Sequence, residues 1–123
     1  MNSRIPSIDA DLLIQPAVTK TADFDGPALD LGAGYAPGGL GEIFGAVVVV
    51  TAIDRTTADE TYAFTLQQSA DGSTGWASIG VAVNTTTTGT VVVKGIVTTR
   101  FVRLSLDVAG TTPSVTYSAN LGL

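Results

Sequence analysis

Short apolar or alternating runs follow one another along the chain, separated by clusters of Gly, Asp, Asn and Pro, and no window sustains the 3.6-residue period of an amphipathic helix. Strands and turns are therefore expected throughout. The first two strands are expected at residues 18–24 and 28–31, divided by Asp25-Gly26-Pro27, where the backbone limits of Gly and Pro impose a turn. After a glycine-rich stretch at 32–41 comes an expected strand at 43–53. Its Val47-Val48-Val49-Val50 run lacks polar alternation and predicts burial on both faces or cover by a partner. In the strand expected at 61–69, Tyr62, Phe64 and Leu66 share one face and Ala63, Thr65 and Gln67 the other, because successive side chains point to opposite sides. Further strands are expected at 76–83, 87–93, 100–108 and 114–121, joined by turns at 71–75, 84–86 and 110–113. Val102, Leu104, Leu106 and Val108 line one face of the seventh, and a one-residue slip would bury Arg103 and Asp107, so its register is well specified.

Eight antiparallel strands predict an all-β fold, an eight-stranded jelly-roll sandwich at 18–123, which limits exposed edges. An immunoglobulin-like sandwich is the alternative. Residues 1–17, with Pro6, Pro16 and the spaced apolar residues Ile5, Ile8, Leu12, Leu13 and Ile14, read as an extended N-terminal arm. A short helical turn at 9–14, capped by Ser7 or Asp9, is the other reading of that segment. Its apolar content predicts docking on its own domain or on a neighbour, since a solvated tail would be more polar.

Composition narrows the chemistry. At 123 residues and 45% hydrophobic, the chain can build one core without staples. Cys and His are both absent, which removes the commonest general base, the commonest zinc ligands and the most nucleophilic side chain. A net charge of -5 would repel a phosphate backbone, so no nucleic-acid partner is expected. The N-terminal residues carry no apolar stretch of signal-peptide length. The most apolar run, 43–53, is about half what a bilayer-spanning helix needs, so no membrane partner is expected.

Candidate sites each have a plain structural explanation. The glycines of 32–41 lack the Lys and the following helix that a phosphate cradle requires. They read instead as a partner-contacting loop with Tyr35, Pro37 and Leu40 available for contact. Asp9/Asp11 and Asp23/Asp25 do not continue into a calcium loop, and Asp71-Gly72 reads as a turn. Glu42, Asp59, Glu60 and Asp107 are the carboxylates from which a glycosidase pair would be drawn, but each reads as a charged loop or exposed strand residue. No catalytic residue, metal or cofactor is expected. Trp76, Phe101 and Tyr35 could stack on sugar. Arg100 and Arg103, beside Phe101, could grip carboxylates of a partner, or be solvated or paired with Asp107.

The run Phe64-Thr65-Leu66-Gln67-Gln68-Ser69-Ala70-Asp71-Gly72-Ser73, followed by Trp76 and Ile79, resembles a strand-turn-strand segment of small phage virion proteins. With Arg100-Phe101-Val102-Arg103-Leu104, Gly110-Thr111-Thr112-Pro113-Ser114, Ser118-Ala119 and, near the start, Leu29-Asp30-Leu31-Gly32, the chain resembles the jelly-roll cement or decoration proteins of tailed bacteriophages over residues 18–123. The resemblance implies a non-enzymatic protein made in the host cytoplasm and bound to the outside of the virion capsid. Its partners would be the major capsid protein and copies of itself, as a homotrimer. Ile5, Ile8, Leu12, Leu13, Ile14, Tyr35, Pro37, Leu40, Arg100, Phe101 and Arg103 are the expected partner contacts. A carbohydrate-binding or host-recognition module of a virion fibre is the alternative function.

Overall fold

The computed structural model describes residues 13–31 and 42–122. Within them the chain is all-β, and its antiparallel strands form two sheets facing each other as a sandwich. The strands are β1 (Leu13–Lys20), β2 (Phe24–Asp25), β3 (Leu29–Asp30), β4 (Glu42–Ile53), β5 (Thr61–Ser69), β6 (Ala77–Ser78), β7 (Val83–Thr85), β8 (Gly89–Val97), β9 (Phe101–Ala109) and β10 (Val115–Gly122). One sheet runs β1-β10-β4-β8. In the other, β9 and β5 pair centrally, β2 and β3 lie along the far side of β9, and β6 and β7 lie along the far side of β5.

Period-two patterning places the core. Tyr62, Phe64 and Leu66 of β5 and Val102, Leu104 and Leu106 of β9 point inward from one sheet. Ala46, Val48 and Val50 of β4, Val93 and Val97 of β8, and Tyr117, Ala119 and Leu121 of β10 meet them from the other. The rings of Phe64 and Tyr117 join the sheets edge to face, their centroids 4.9 Å apart.

Several boundaries differ from the sequence expectation: the strand expected at 18–24 ends at Lys20 and Phe24 belongs to the other sheet, and the turn expected at 84–86 overlaps β7. β1 begins at Leu13, inside the segment read as an arm, and Ile14 is core with 1% exposure. Pro16 had argued against a strand there, but β1 is an edge strand whose register with β10 shifts between Leu13 and Gln15 and between Gln15 and Val18. Edges and bulges are where a strand tolerates the missing proline N–H. The strand expected at 76–83 is broken into β6 and β7, because at Ile79, whose N–H still donates to the Leu66 carbonyl of β5 at 3.0 Å, the chain turns to run along the edge of β8. There the Ile96 N–H donates to the Ile79 carbonyl at 3.2 Å, and a Cβ on Gly80 would lie 2.0 Å from the Lys94 carbonyl oxygen. This close backbone approach covers part of an otherwise open sheet edge. The strand expected at 87–93 extends to Val97 as β8.

The turn expected at 71–75 forms as its residues dictate. The Asp71 carboxylate accepts from the Ser73 and Thr74 N–H groups, both at 2.9 Å, and Gly72 and Gly75 take positive φ of 77° and 69°. Those bonds hold the Asp71 carboxyl well below the usual carboxylate range.

Candidate interaction face

In a two-sheet sandwich the inner faces make the core and the outer faces meet solvent, so an outer face should be polar. The β9–β5 sheet follows that rule. Outward from it point Arg103, Ser105 and Asp107 of β9 and Thr65 and Gln67 of β5. These groups are paired with one another and with the neighbouring turns. Arg103 donates to Gln67 at 2.8 Å, lies 3.4 Å from the Asp25 carboxylate and stacks 4.2 Å over the Trp76 ring. Asp25 accepts from the Ser105 hydroxyl at 2.8 Å, and Asp23 from the Val108 N–H at 2.7 Å. The Asp107 carboxyl is raised above its ordinary value chiefly by the like charge of Asp23 and a hydrogen bond with it.

The β1-β10-β4-β8 sheet does not follow the rule. Register places outward-facing side chains in rows across it: Ile43 beside Ile96; then Gly122, Gly45 and Lys94; then Leu13, Asn120, Val47 and Val92; then Ser118, Val49 and Thr90. Ile43 is 62% exposed, Ile96 51%, Val92 46% and Leu13 41%. Beyond these rows the face turns hydroxylated, where Thr19 and Thr116 share a hydrogen bond of 2.7 Å. At the β8 edge, Val81 is also exposed, and with Ile79, Ile43, Val92 and Ile96 it lines a shallow depression of about 420 Å³. Isolated exposed apolar side chains are ordinary, but Ile43 and Ile96 side by side, with Val92 and Leu13 in the row beyond Lys94, make this face a candidate interaction surface.

The sequence-expected contacts are scattered relative to this face. Leu13 lies on it, whereas Ile14 points into the core. Arg100 forms a forked pair with Asp30, at 2.6 and 2.7 Å, rather than with Asp107. Phe101 is half-buried against Gly72 and lies 5.2 Å below the Arg100 guanidinium. Arg103 is committed to Gln67, Asp25 and Trp76 as described. Ile5, Ile8, Leu12, Tyr35, Pro37 and Leu40 lie outside the described residues. Sequence reasoning passed over Ile43, Val92, Lys94 and Ile96. Their signal was present in the unbroken apolar run of β4, and the register with β8 completes it.

The carboxylates considered for catalysis are engaged in local bonding. Asp59 accepts from the Thr111 hydroxyl at 2.6 Å and the Thr57 hydroxyl at 2.5 Å, which lowers its pKa to about 2. Glu60 is buried, and one carboxylate oxygen accepts from the Thr112 hydroxyl at 3.0 Å and shares the single Thr57 hydroxyl proton with Asp59. These bonds, Thr57 foremost, hold its pKa below the ordinary value. The Glu42 side chain lies outside the described residues. Among the described residues no three carboxylates converge where they could hold a metal ion.

Comparison with models of known protein families gave no match, and comparison with curated proteins gave none either.

Proposed function

We propose that the chain is a non-enzymatic virion protein that binds the outside of a phage capsid and cements its shell of major capsid protein. The observation that carries the reading is the apolar outer face of the β1-β10-β4-β8 sheet, a surface suited to a protein partner. The resemblance of residues 18–123 to decoration proteins supplies the kind of partner. A jelly roll is the fold we assign within the sandwich. When β2 with β3 and β6 with β7 are each counted as one interrupted strand, the order gives two four-stranded sheets between which the chain repeatedly crosses. Many copies on one shell would add modest contacts through multivalency, and self-association as a homotrimer would add more.

The test is co-sedimentation with purified shells that lack the protein. Wild type should saturate at a fixed number of copies per shell and raise the temperature at which shells rupture. An Ile43→Asp/Ile96→Asp variant that keeps the wild-type circular dichroism spectrum should do neither. Absence of wild-type binding would overturn the proposal, and hits on a glycan array would favour carbohydrate recognition in its place.

A further inference from the structure

We infer that the end of the sandwich where the 54–60 turn meets the 110–114 turn holds a calcium ion on Glu60 and Asp59. The observation that leads there is an oxygen without a partner. Glu60 is 0% exposed, and its Oε1 is buried with no hydrogen-bond donor among the described residues. Buried charges are paired or bind metal ions, and an orphaned oxygen of this kind marks the place of an ion or a water. No basic side chain among the described residues pairs with Glu60 or with Asp59. Arg55, the nearest in sequence, donates to the Ala58 carbonyl instead.

Both turns bring oxygens to that carboxylate. Gly110 packs directly on Glu60, since a Cβ there would lie 2.5 Å from the Glu60 Cα, and the contact sets Thr111 and Thr112 beside the two carboxylates. Thr112 donates to Glu60 Oε2 at 3.0 Å, and Thr111 to Asp59 Oδ2 at 2.6 Å. The Thr57 hydroxyl lies against both Asp59 Oδ1, at 2.5 Å, and Glu60 Oε2. It has one proton to give, so one of those two contacts is oxygen on oxygen, which a cation would convert into shared coordination.

Calcium suits this set. It takes about six to eight oxygens in irregular geometry, from carboxylates, neutral oxygens and water, whereas magnesium demands a near-ideal octahedron. Glu60 Oε1, the Asp59 carboxylate and the Thr57 and Thr112 hydroxyls would supply the protein's share, and two negative charges match the two positive ones. Bonds from Thr111 and Thr57, which hold both carboxyls below their ordinary values, keep them ionised at neutral pH. Glu60 is the buried floor while Thr57, Asp59, Thr111 and Thr112 are exposed, so an ion has a path in from solvent. Once bound it would tie the turn after β4 to the turn after β9.

The test uses the whole chain at constant ionic strength, first dialysed against a chelator. Calcium chloride should give the heat of a single site per chain, and at about a hundredfold excess over Kd it should raise the melting temperature by roughly 10 °C. Asp30→Asn, at the opposite end of β9, should keep that response. Glu60→Gln and Asp59→Asn should each lose most of it, and the exposed Asp59 keeps the test open where the buried substitution fails to fold. No heat and no shift with calcium, meaning that the Glu60 oxygen holds water, would overturn the inference. So would a shift of equal size in Asp59→Asn, or with magnesium chloride in wild type, since a general effect of divalent charge on an acidic chain explains either.

Discussion

Two buried tyrosines of similar exposure should respond in opposite directions to loss of a single oxygen. The Tyr62 hydroxyl donates to the Asp54 carbonyl at 2.6 Å and accepts from the Ser114 N–H at 2.9 Å, tying the turn after β4 to the start of β10. The Tyr117 hydroxyl is buried with no hydrogen-bond partner among the described residues. Tyr62→Phe strips both partners at once, and an unsatisfied buried group costs about 1–3 kcal/mol. Tyr117→Phe removes only an uncompensated polar group and keeps the edge-to-face contact with Phe64, so a gain of about 1 kcal/mol is expected. With an unfolding entropy near 2.1 cal/mol/K per residue, 1 kcal/mol in a chain of 123 residues corresponds to about 4 °C. Thermal and urea unfolding, followed by circular dichroism, should place Tyr62→Phe about 4–12 °C below wild type and Tyr117→Phe level with it or a few degrees above. Equal destabilisation by both variants would refute the reasoning, since it would give the Tyr117 hydroxyl a partner.

The same residue carries a pH signature. Burial pushes the Tyr117 hydroxyl up to about 12, against an ordinary 10; the folded state therefore holds its proton more tightly, and stability should fall as pH rises from 10 towards 12. Urea titrations across that window should reveal the fall in wild type and a smaller one in Tyr117→Phe. Asp107 has a consequence of the same sign in the acid range: its raised pKa reflects repulsion from Asp23, so ionisation destabilises the fold and protonation relieves it. Asp107→Asn should raise the melting temperature at pH 7, with the advantage shrinking as acid protonates the wild-type carboxyl; an advantage that persists unchanged into acid would contradict this. Gly80→Ala should lift residues 79–81 from β8, because its Cβ would meet backbone rather than a flexible side chain. Hydrogen exchange at the Ile96 amide should then accelerate while that of Leu104 stays slow, and unchanged exchange at Ile96 would contradict the crossing.

What the sequence revealed follows the reach of its signals. Alternation placed Tyr62, Phe64 and Leu66, and Val102, Leu104 and Leu106, on the core side because those strands are half-buried and carry a clean period of two. β1 was hidden by Pro16, whose effect depends on whether a strand is central or at an edge, a property of the whole sheet. The split between β6 and β7 was hidden because Gly80 acts through a non-local approach to Lys94. The Val47–Val50 run read as buried on both faces or covered by a partner; Val48 and Val50 lie in the core, whereas Val47 and Val49 are half-buried on the outer face. Only the pairing of Ile43 with Ile96 and of Val47 with Val92 shows that the outer side is a continuous face. Arg100 and Arg103 looked available for a partner because Asp30 and Asp25, which pair with them, lie seventy residues or more away in sequence.

The central claim is that this face is where the protein attaches, and an electron cryomicroscopy map of decorated shells tests it most directly. The account predicts density for the sandwich on the outer shell surface, with Ile43, Val92 and Ile96 turned towards the major capsid protein and the polar β9–β5 face turned outward. A map in which the sandwich attaches through the Arg103–Gln67 side, with Ile43, Val92 and Ile96 facing solvent, would contradict it.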